Sequence, residues 1–349
     1  MKDKSKEVCI VGLGARTSIG ISAPTSAAAV RAGINRMGEH PYMIDKAGEP
    51  MIVARASYLS DDITGAQRFL DLSLPALHEA LIPLSRFAGR LTPIPLIIGL
   101  SAQRPGLPMN LATEIASRFK NMVNDTCRIS SVETISCGHS AGLMAIEAGW
   151  RAIRDGSVEF CLAGGIDSYL EPETLEWLDK EEQLHSVVNK WGFAPGEAAG
   201  FCLLTSQRAA ARQQLPMLGQ VLAVATAREV NLIKTDSVCI GEGLTKALKQ
   251  VLQMLNHSHE KVDHVICDMN GERYRADEYG FTVARLSEYF VDAADFLAPA
   301  DCWGDIGAAS GQLFINLAIA AKLRKYAKGK VTLVWTSSES GERSAAVLQ

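Results

Sequence analysis

The chain has 349 residues, a length that suits two domains or one large domain built from two similar halves. With 47% hydrophobic and 21% charged residues it reads as a globular protein, and a net charge of −4 gives no basis for nucleic-acid binding. Apolar runs such as residues 93–100 are too short to span a bilayer, and eight scattered cysteines form no CxxC pair and no Cys/His cluster at zinc spacing.

Residues 1–7 are charged and lack the apolar region and cleavage site of a secretory signal, so a cytoplasmic protein is expected. Residues 8–14 read as a buried strand ending in a glycine turn, and alanine-rich 22–33 as a helix. Gly12-Leu-Gly14 superficially suggests a dinucleotide loop. Thr17 replaces its third glycine or alanine, however, and no acidic residue ends a second strand about twenty positions on. Residues 51–56 are a short strand, 68–84 an amphipathic helix, 94–100 an apolar central strand and 111–123 a helix.

Residues 127–135 lead into Ile135-Ser-Cys-Gly-His-Ser-Ala-Gly-Leu-Met-Ala-Ile146, which passes from a strand end through a tight turn into a helix over 140–153. Gly138, Ala141 and Gly142 allow close backbone approach there. A side chain at the turn faces the unpaired N–H groups of the helix start, where an anion is stabilised. Strand, sharp turn and reactive side chain make a nucleophile elbow. A tightly packed corner without chemistry reads the same way.

Residues 160–166 form a strand, 171–184 a solvated acidic helix, 191–200 a glycine-rich turn and 201–205 another strand. Polar residues 206–215 divide the chain, giving an expected N-terminal half over 1–206 and a C-terminal half over 207–349. The second half opens with a strand near 221–226, a helix over 241–255 and a strand over 262–269 ending at Asn270-Gly271. Gly304-Asp-Ile-Gly-Ala-Ala-Ser-Gly311 turns into a helix reaching about residue 326, and 330–336 is the last strand. Strands alternating with helices predict an α/β protein with mainly parallel central strands.

Four ordered motifs carry a family resemblance. They are Val8-Cys-Ile-Val-Gly-Leu-Gly14 with Gly20 and Ala32-Gly33; Arg68-Phe69; Ser140-Ala-Gly-Leu-Met-Ala-Ile146 followed by Ala163-Gly-Gly165; and Gly192-Phe-x-x-Gly-Glu-Ala-Ala-Gly200. Together they resemble the β-ketoacyl-ACP synthase branch of the thiolase superfamily over nearly the whole chain. The resemblance implies a thiolase-like fold of two βαβαβαββ halves in five αβαβα layers, and typically a homodimer. It also implies condensation of an acyl-thioester with a malonyl-thioester, usually on acyl carrier protein, through a cysteine nucleophile and two histidines.

Those residues are replaced here. A gapless match puts His139 at the nucleophile position, Asn270-Gly271 where the family has His-Gly-Thr, and Gly304-Asp305 where it has Gly-His. The lysine preceding that last turn has no match, Ala298-Pro-Ala-Asp-Cys302 standing there instead. Cys137, two residues before the matched position, reads as a helix-start thiol of depressed pKa or as a packed cysteine. His139 beside Asp305 reads as a base for Ser140 or a water, or as a polar plug in the old pocket. Glu272 and Arg273 line a polar pocket or are solvated, and Glu197 is a functional carboxylate or ties the turn at Gly196–Gly200 together. Trp303 lines an acyl tunnel or fills it, and His257 and His259 form a metal pair or a polar loop.

The expected function is a β-ketoacyl-synthase-like subunit that does not condense. It would bind or scaffold acyl chains, acyl carrier protein or a synthase homologue, as a homodimer or heterodimer. The alternative is an acyltransferase or thioester hydrolase rebuilt on Cys137 or on His139, Asp305 and Asn270. No cofactor and no metal is implied.

Overall fold

The computed structural model describes residues 7–87, 92–120, 122, 127–255 and 260–349. The chain runs through β1 (Val8–Thr17), α1 (Ala23–Arg31), β2 (Gly38–Ile44), β3 (Pro50–Val53), α2 (Gly65–Leu81) and β4 (Thr92–Leu100). Next come α3 (Leu111–Lys120), β5 (Cys127–Ser136), α4 (Ala141–Asp155), β6 (Phe160–Ser168), α5 (Pro172–Lys180) and β7 (Glu197–Ser206). Then α6 (Gln207–Arg212), β8 (Gly219–Arg228), α7 (Glu242–Leu252), β9 (His264–Cys267), α8 (Arg273–Leu286) and β10 (Phe296–Leu297) follow. The remaining elements are α9 (Ala300–Trp303), α10 (Ser310–Leu323), β11 (Thr332–Ser337) and β12 (Glu342–Leu348).

Ten strands make one sheet in the order β10-β9-β11-β12-β8-β1-β7-β6-β4-β5. Read outward from its middle, β1-β7-β6-β4-β5 and β8-β12-β11-β9-β10 repeat one arrangement. In each, the first two pairings are antiparallel and the last two parallel. Residues 8–10 of β1 join the two runs by pairing with residues 219–221 of β8.

Helices α4 and α10 lie between the two half-sheets and touch strands of both. Their shared core includes Ile97, Leu143, Leu313, Phe314, Val334 and Ala346. The first half-sheet's outer face is covered by α2 and α3 through Phe69, Leu72, Ile115 and Phe119. On the other side α7 and α8 cover the second half-sheet through Leu244, Leu248, Tyr279 and Leu286. The layers are therefore α, β, α, β, α, a thiolase-like arrangement. Burying each large apolar side chain contributes about 1.5–3 kcal/mol, so these faces dominate the favourable side of folding. Among the described residues no helix is long and apolar enough to cross a membrane.

Local chemistry explains most boundaries. Ser22 caps α1 in a reciprocal capping box with Thr25. Gly156, at φ 84°, closes α4 in the left-handed conformation that glycine adopts at least cost. Other boundaries differ from the sequence reading. β1 does not turn at Gly14 but continues to Thr17, with its glycines packed beneath α2. A Cβ at Gly12 would stand 2.0 Å from the Ala80 carbonyl oxygen, and one at Gly14 1.8 Å from that of Ala76. Close packing, not a phosphate, requires these glycines.

The helix expected over 171–184 spans Pro172–Lys180, and it is not simply solvated. Glu171 is buried and accepts the Gly65 N–H at 2.6 Å, while Leu175 and Leu178 pack with Met51, Val53 and Phe193. β7 begins inside the expected turn, at Glu197, and β12 follows the strand expected to be last. Helix α8, strand β10 and the exposed strand β2 were not expected. The end of the helix expected over 111–123 and the pair His257 and His259 fall partly or wholly outside the described residues.

Candidate active site

Strand β5 delivers the chain to a turn at residues 137–140, and α4 starts directly after it. Gly138 takes φ 80°, which a side chain would strain, and its N–H reaches the Leu100 carbonyl at 3.1 Å. The Ser140 N–H donates to Ser338 Oγ at 2.8 Å. The Ser140 hydroxyl faces the Thr336 and Glu342 carbonyls at 3.1 and 2.9 Å. Ser140 is therefore a buried tie from the start of α4 to β11 and β12, its hydroxyl directed at backbone carbonyls. Gln312 Nε2 donates to the Gly142 carbonyl at 2.6 Å and holds α10 against the start of α4.

His139 is buried, and its Nε2 lies 2.8 and 2.9 Å from the two carboxylate oxygens of Asp305. An ionised carboxylate only accepts, so the nitrogen facing it carries the proton. Asn270 Nδ2 donates to Asp305 Oδ2 at 2.6 Å, and the Gly307 N–H donates to Oδ1 at 2.9 Å. The structure thus brings His139, Asn270 and Asp305 into one hydrogen-bonded group. Burial pushes the Asp305 carboxyl up, but the His139 ring and the Arg275 guanidinium override it and hold the carboxyl well below its usual range. Burial likewise lowers His139, Asp305 raises it more strongly, and the net shift is upward from 6.5.

Arg275 extends the group. Its Nη2 lies 3.2 Å from His139 Nε2, donor facing donor, which opposes the imidazolium. Its Nη1 donates to Asp268 Oδ2 and to the Ser337 carbonyl at 2.9 and 3.0 Å, and its Nε faces Glu272 Oε2 at 3.3 Å. Glu272 also accepts from Asn270 Nδ2 at 3.0 Å and the Tyr274 hydroxyl at 2.6 Å, and pairs with Lys234 at 3.1 Å. Burial raises Glu272, yet Arg275 and Lys234 leave its pKa lowered. Asp268 goes the other way: burial outweighs Arg275 and raises it, and its Oδ1 has no partner among the described residues.

Glu272 and Arg273 therefore part company. Glu272 is a buried member of the network, whereas Arg273 is exposed and faces Asp277 at 3.5 Å. Arg275 and Asp268 escaped the sequence reading. The available signal was the spacing of Glu272 and Arg275, three apart on a helix that was not expected there.

Cys137 stands apart from this group. Its Sγ lies 3.4 Å from Met144 Sδ, and burial, aided by Glu342, pushes the thiol up to about 12. The depressed pKa expected of a helix-start thiol is not found. Its sulfur is largely removed from water, and among the described residues no cation is found to favour the thiolate.

Little space remains. A cavity of about 100 Å³ is bordered by Cys137, His139, Arg104, Tyr169 and Phe193. Behind Asp305 and Asn270 only about 10 Å³ is open, because Trp303, Phe314 and Ile306 fill that region. Trp303, 1% exposed, fills rather than lines a tunnel.

Glu197 ties more than its own turn. Both oxygens are gripped by Arg68, at 2.6 and 2.7 Å, and they also accept the Ala56 N–H and the Ser168 hydroxyl at 2.8 and 2.9 Å. Among the described residues, Glu229, Cys239 and Glu278 place possible metal-ligand atoms within 4.8 Å of one another. Glu229 is committed to the N–H groups of Val230, Asn231 and Gly243, and Glu278 to Arg343 and Ser337.

Residues 117–210 match the family model described as Beta-ketoacyl synthase, N-terminal domain. That segment contains the elbow and His139 but neither Asn270 nor Asp305. No curated protein matches the sequence. Among solved structures, a type II PKS acyl-carrier protein in complex with its ketosynthase bound to the hexaketide aligns with TM-score 0.77 and 16% identity, over 98% of each chain. The ishigamide ketosynthase/chain length factor aligns with the same score, identity and coverage. A ketosynthase in complex with its chain length factor from Xenorhabdus doucetiae aligns with TM-score 0.75 and 16% identity, over 100% of this chain and 99% of that one. At such identities the likeness shows the fold, and the resemblance to β-ketoacyl synthases in the thiolase superfamily stands on it and on the matched segment.

Proposed function

We propose that this chain is a β-ketoacyl-synthase-like subunit that performs no decarboxylative condensation and serves to bind or scaffold acyl chains, acyl carrier protein or a catalytic homologue. One observation carries the reading: His139 and Asp305, which the gapless sequence match sets at the family's catalytic positions, form a buried pair closed in by Asn270, Gly307 and Arg275. Condensation needs a nucleophile and donors aimed at a developing oxyanion. Here His139 presents a proton already bound to a carboxylate, and Asp305 is an acceptor that repels an oxyanion. The burial of His139 and the nearly closed space behind Asp305 weigh against the rebuilt-hydrolase reading. The raised thiol of Cys137 weighs against the rebuilt acyltransferase.

Two similar structures are themselves complexes, one of a ketosynthase with an acyl-carrier protein and one with a chain length factor, and this supports a subunit reading. β5 lies at the end of the sheet order and pairs only with β4 among the described residues. Such an open edge invites pairing with a second copy or a synthase homologue across a two-fold axis. A monomeric mass at micromolar concentration, with and without such a homologue, contradicts that assembly.

The test of the binding role is incubation with acyl-carrier protein bearing a labelled acyl chain. The expected outcome is a reversible complex with no acyl group left on this chain in the intact mass. An acyl adduct on Cys137, His139 or Ser140 overturns the proposal.

A further inference from the structure

Away from His139, helix α1, the C-terminal end of α10 and the segment after α2 enclose a cavity of about 760 Å³. That volume falls within the ~300–1,000 Å³ of ordinary small-molecule sites. It shares no lining residue with the 100 Å³ cavity beside His139. Its walls are aliphatic, from Leu13, Ala27, Leu218 and Ile319, and Ile82 and Leu323 stand at its mouth 62% and 53% exposed. Large aliphatic side chains left in water beside an apolar hollow are a standing cost that a fitting ligand removes.

The polar groups of the cavity fall into two sets. Glu79 and Asn316 are engaged with the protein. Glu79 accepts the Ala15 and Ala23 N–H groups at 3.1 and 2.9 Å and pairs with Arg16 at 3.2 Å, and Asn316 donates to the Ala23 carbonyl at 3.0 Å. Arg31, in the last turn of α1, and Arg324, the residue that ends α10, have no carboxylate partner among the described residues. Arg31 is held in place by stacking 4.1 Å over the ring of Tyr326, itself a lining residue. Two uncompensated guanidiniums beside an aliphatic hollow, on a chain of net charge −4, complement one kind of molecule.

We infer that this cavity binds a fatty acid, its chain against Leu13, Ile319 and Leu323 and its carboxylate on Arg31 and Arg324. Arginine's planar fork suits a carboxylate, and two forks on separate helices fix the head while the aliphatic walls accept a range of chain lengths. The inference does not depend on the reading of the His139 group.

The test is a fluorescence titration of the full chain with cis-parinaric acid, followed by displacement. Saturable binding is expected, displaced by dodecanoate at concentrations at least about tenfold lower than by dodecanol, since a charge-assisted hydrogen bond contributes about 1.5–3 kcal/mol. Arg31→Glu/Arg324→Glu weakens binding about tenfold or more by the same arithmetic. Ala28→Trp, at an exposed lining position, blocks the cavity and abolishes binding. Unchanged thermal unfolding of both variants shows that they fold. No saturable binding, equal displacement by dodecanol, or binding that survives either variant overturns the inference.

Discussion

A single nitrogen, His139 Nε2, is shared between both carboxylate oxygens of Asp305 at 2.8 and 2.9 Å, with both residues buried. Because Asn270 and Gly307 take further positions on the same carboxylate, Asp305 is the hub that neutralises the pocket floor. Asp305→Ala removes the group that raises His139 and leaves the Asn270 and Gly307 donors without their acceptor beside Arg275, and the expected destabilisation is ~3–5 kcal/mol. Urea unfolding measures it, and a loss below ~1 kcal/mol means that the pair is no more than a surface-type contact.

The same pair sets a pH dependence, worked out for the groups that face it, Arg275 and Asp268 included. His139 is raised above 6.5 by Asp305, so its contribution is full below 6.5 and fades as pH climbs through the raised value. Asp305 is lowered from 3.8, so its contribution is full above 3.8 and fades as pH falls below it. The stability difference between wild type and His139→Gln is thus largest between these limits and shrinks on alkalinisation. The His139 ring proton, followed by NMR, titrates above 6.5 in the folded protein. A midpoint below 6.5 contradicts the upward shift.

Cys137 and Cys239 are the two cysteines that are not fully buried. Burial raises both thiols, Cys137 to about 12 and Cys239 by less. Iodoacetamide on the native protein is therefore expected to label Cys239 before Cys137. Fastest labelling at Cys137, with protection by an acyl-thioester, restores the thiol mechanism.

Arg68 and Glu197 form a bidentate buried pair linking α2 to the start of β7. Glu197→Ala strands the guanidinium and is expected to cost ~3–5 kcal/mol. Arg68→Met/Glu197→Leu together cost less than the single change, since no charge is left unpaired. A double variant less stable than Glu197→Ala refutes that account.

The elbow was legible because its small residues and strand-to-helix switch are local signals. So were β4, a continuous apolar run buried on both faces, and α2, whose apolar periodicity depends on one face. The family resemblance also marked His139, Asn270 and Asp305, the first two lying 166 and 35 positions before Asp305 and meeting it through the fold. The rest depended on long-range partners. Arg275 sits on a polar helix start, where its spacing from Glu272 hints at a pair but not at burial against Asp268 and His139. β12 carries Ser344, Ala345 and Ala346, weak strand formers held by pairing with β8 and β11, and its buried Arg343 is received by Glu278 on α8 and the Ser338 carbonyl.

The central claim is the absence of condensation, and turnover with malonyl- and acyl-acyl carrier protein tests it most directly. Wild-type protein is compared with His139→Cys/Asn270→His/Asp305→His. Losing one oxyanion donor typically costs ~100- to ~1,000-fold in rate, and here the nucleophile is replaced as well. The account predicts no product from the wild type and a trace from the triple variant. Wild-type turnover at roughly 1 per second or above, an ordinary enzyme rate, contradicts it.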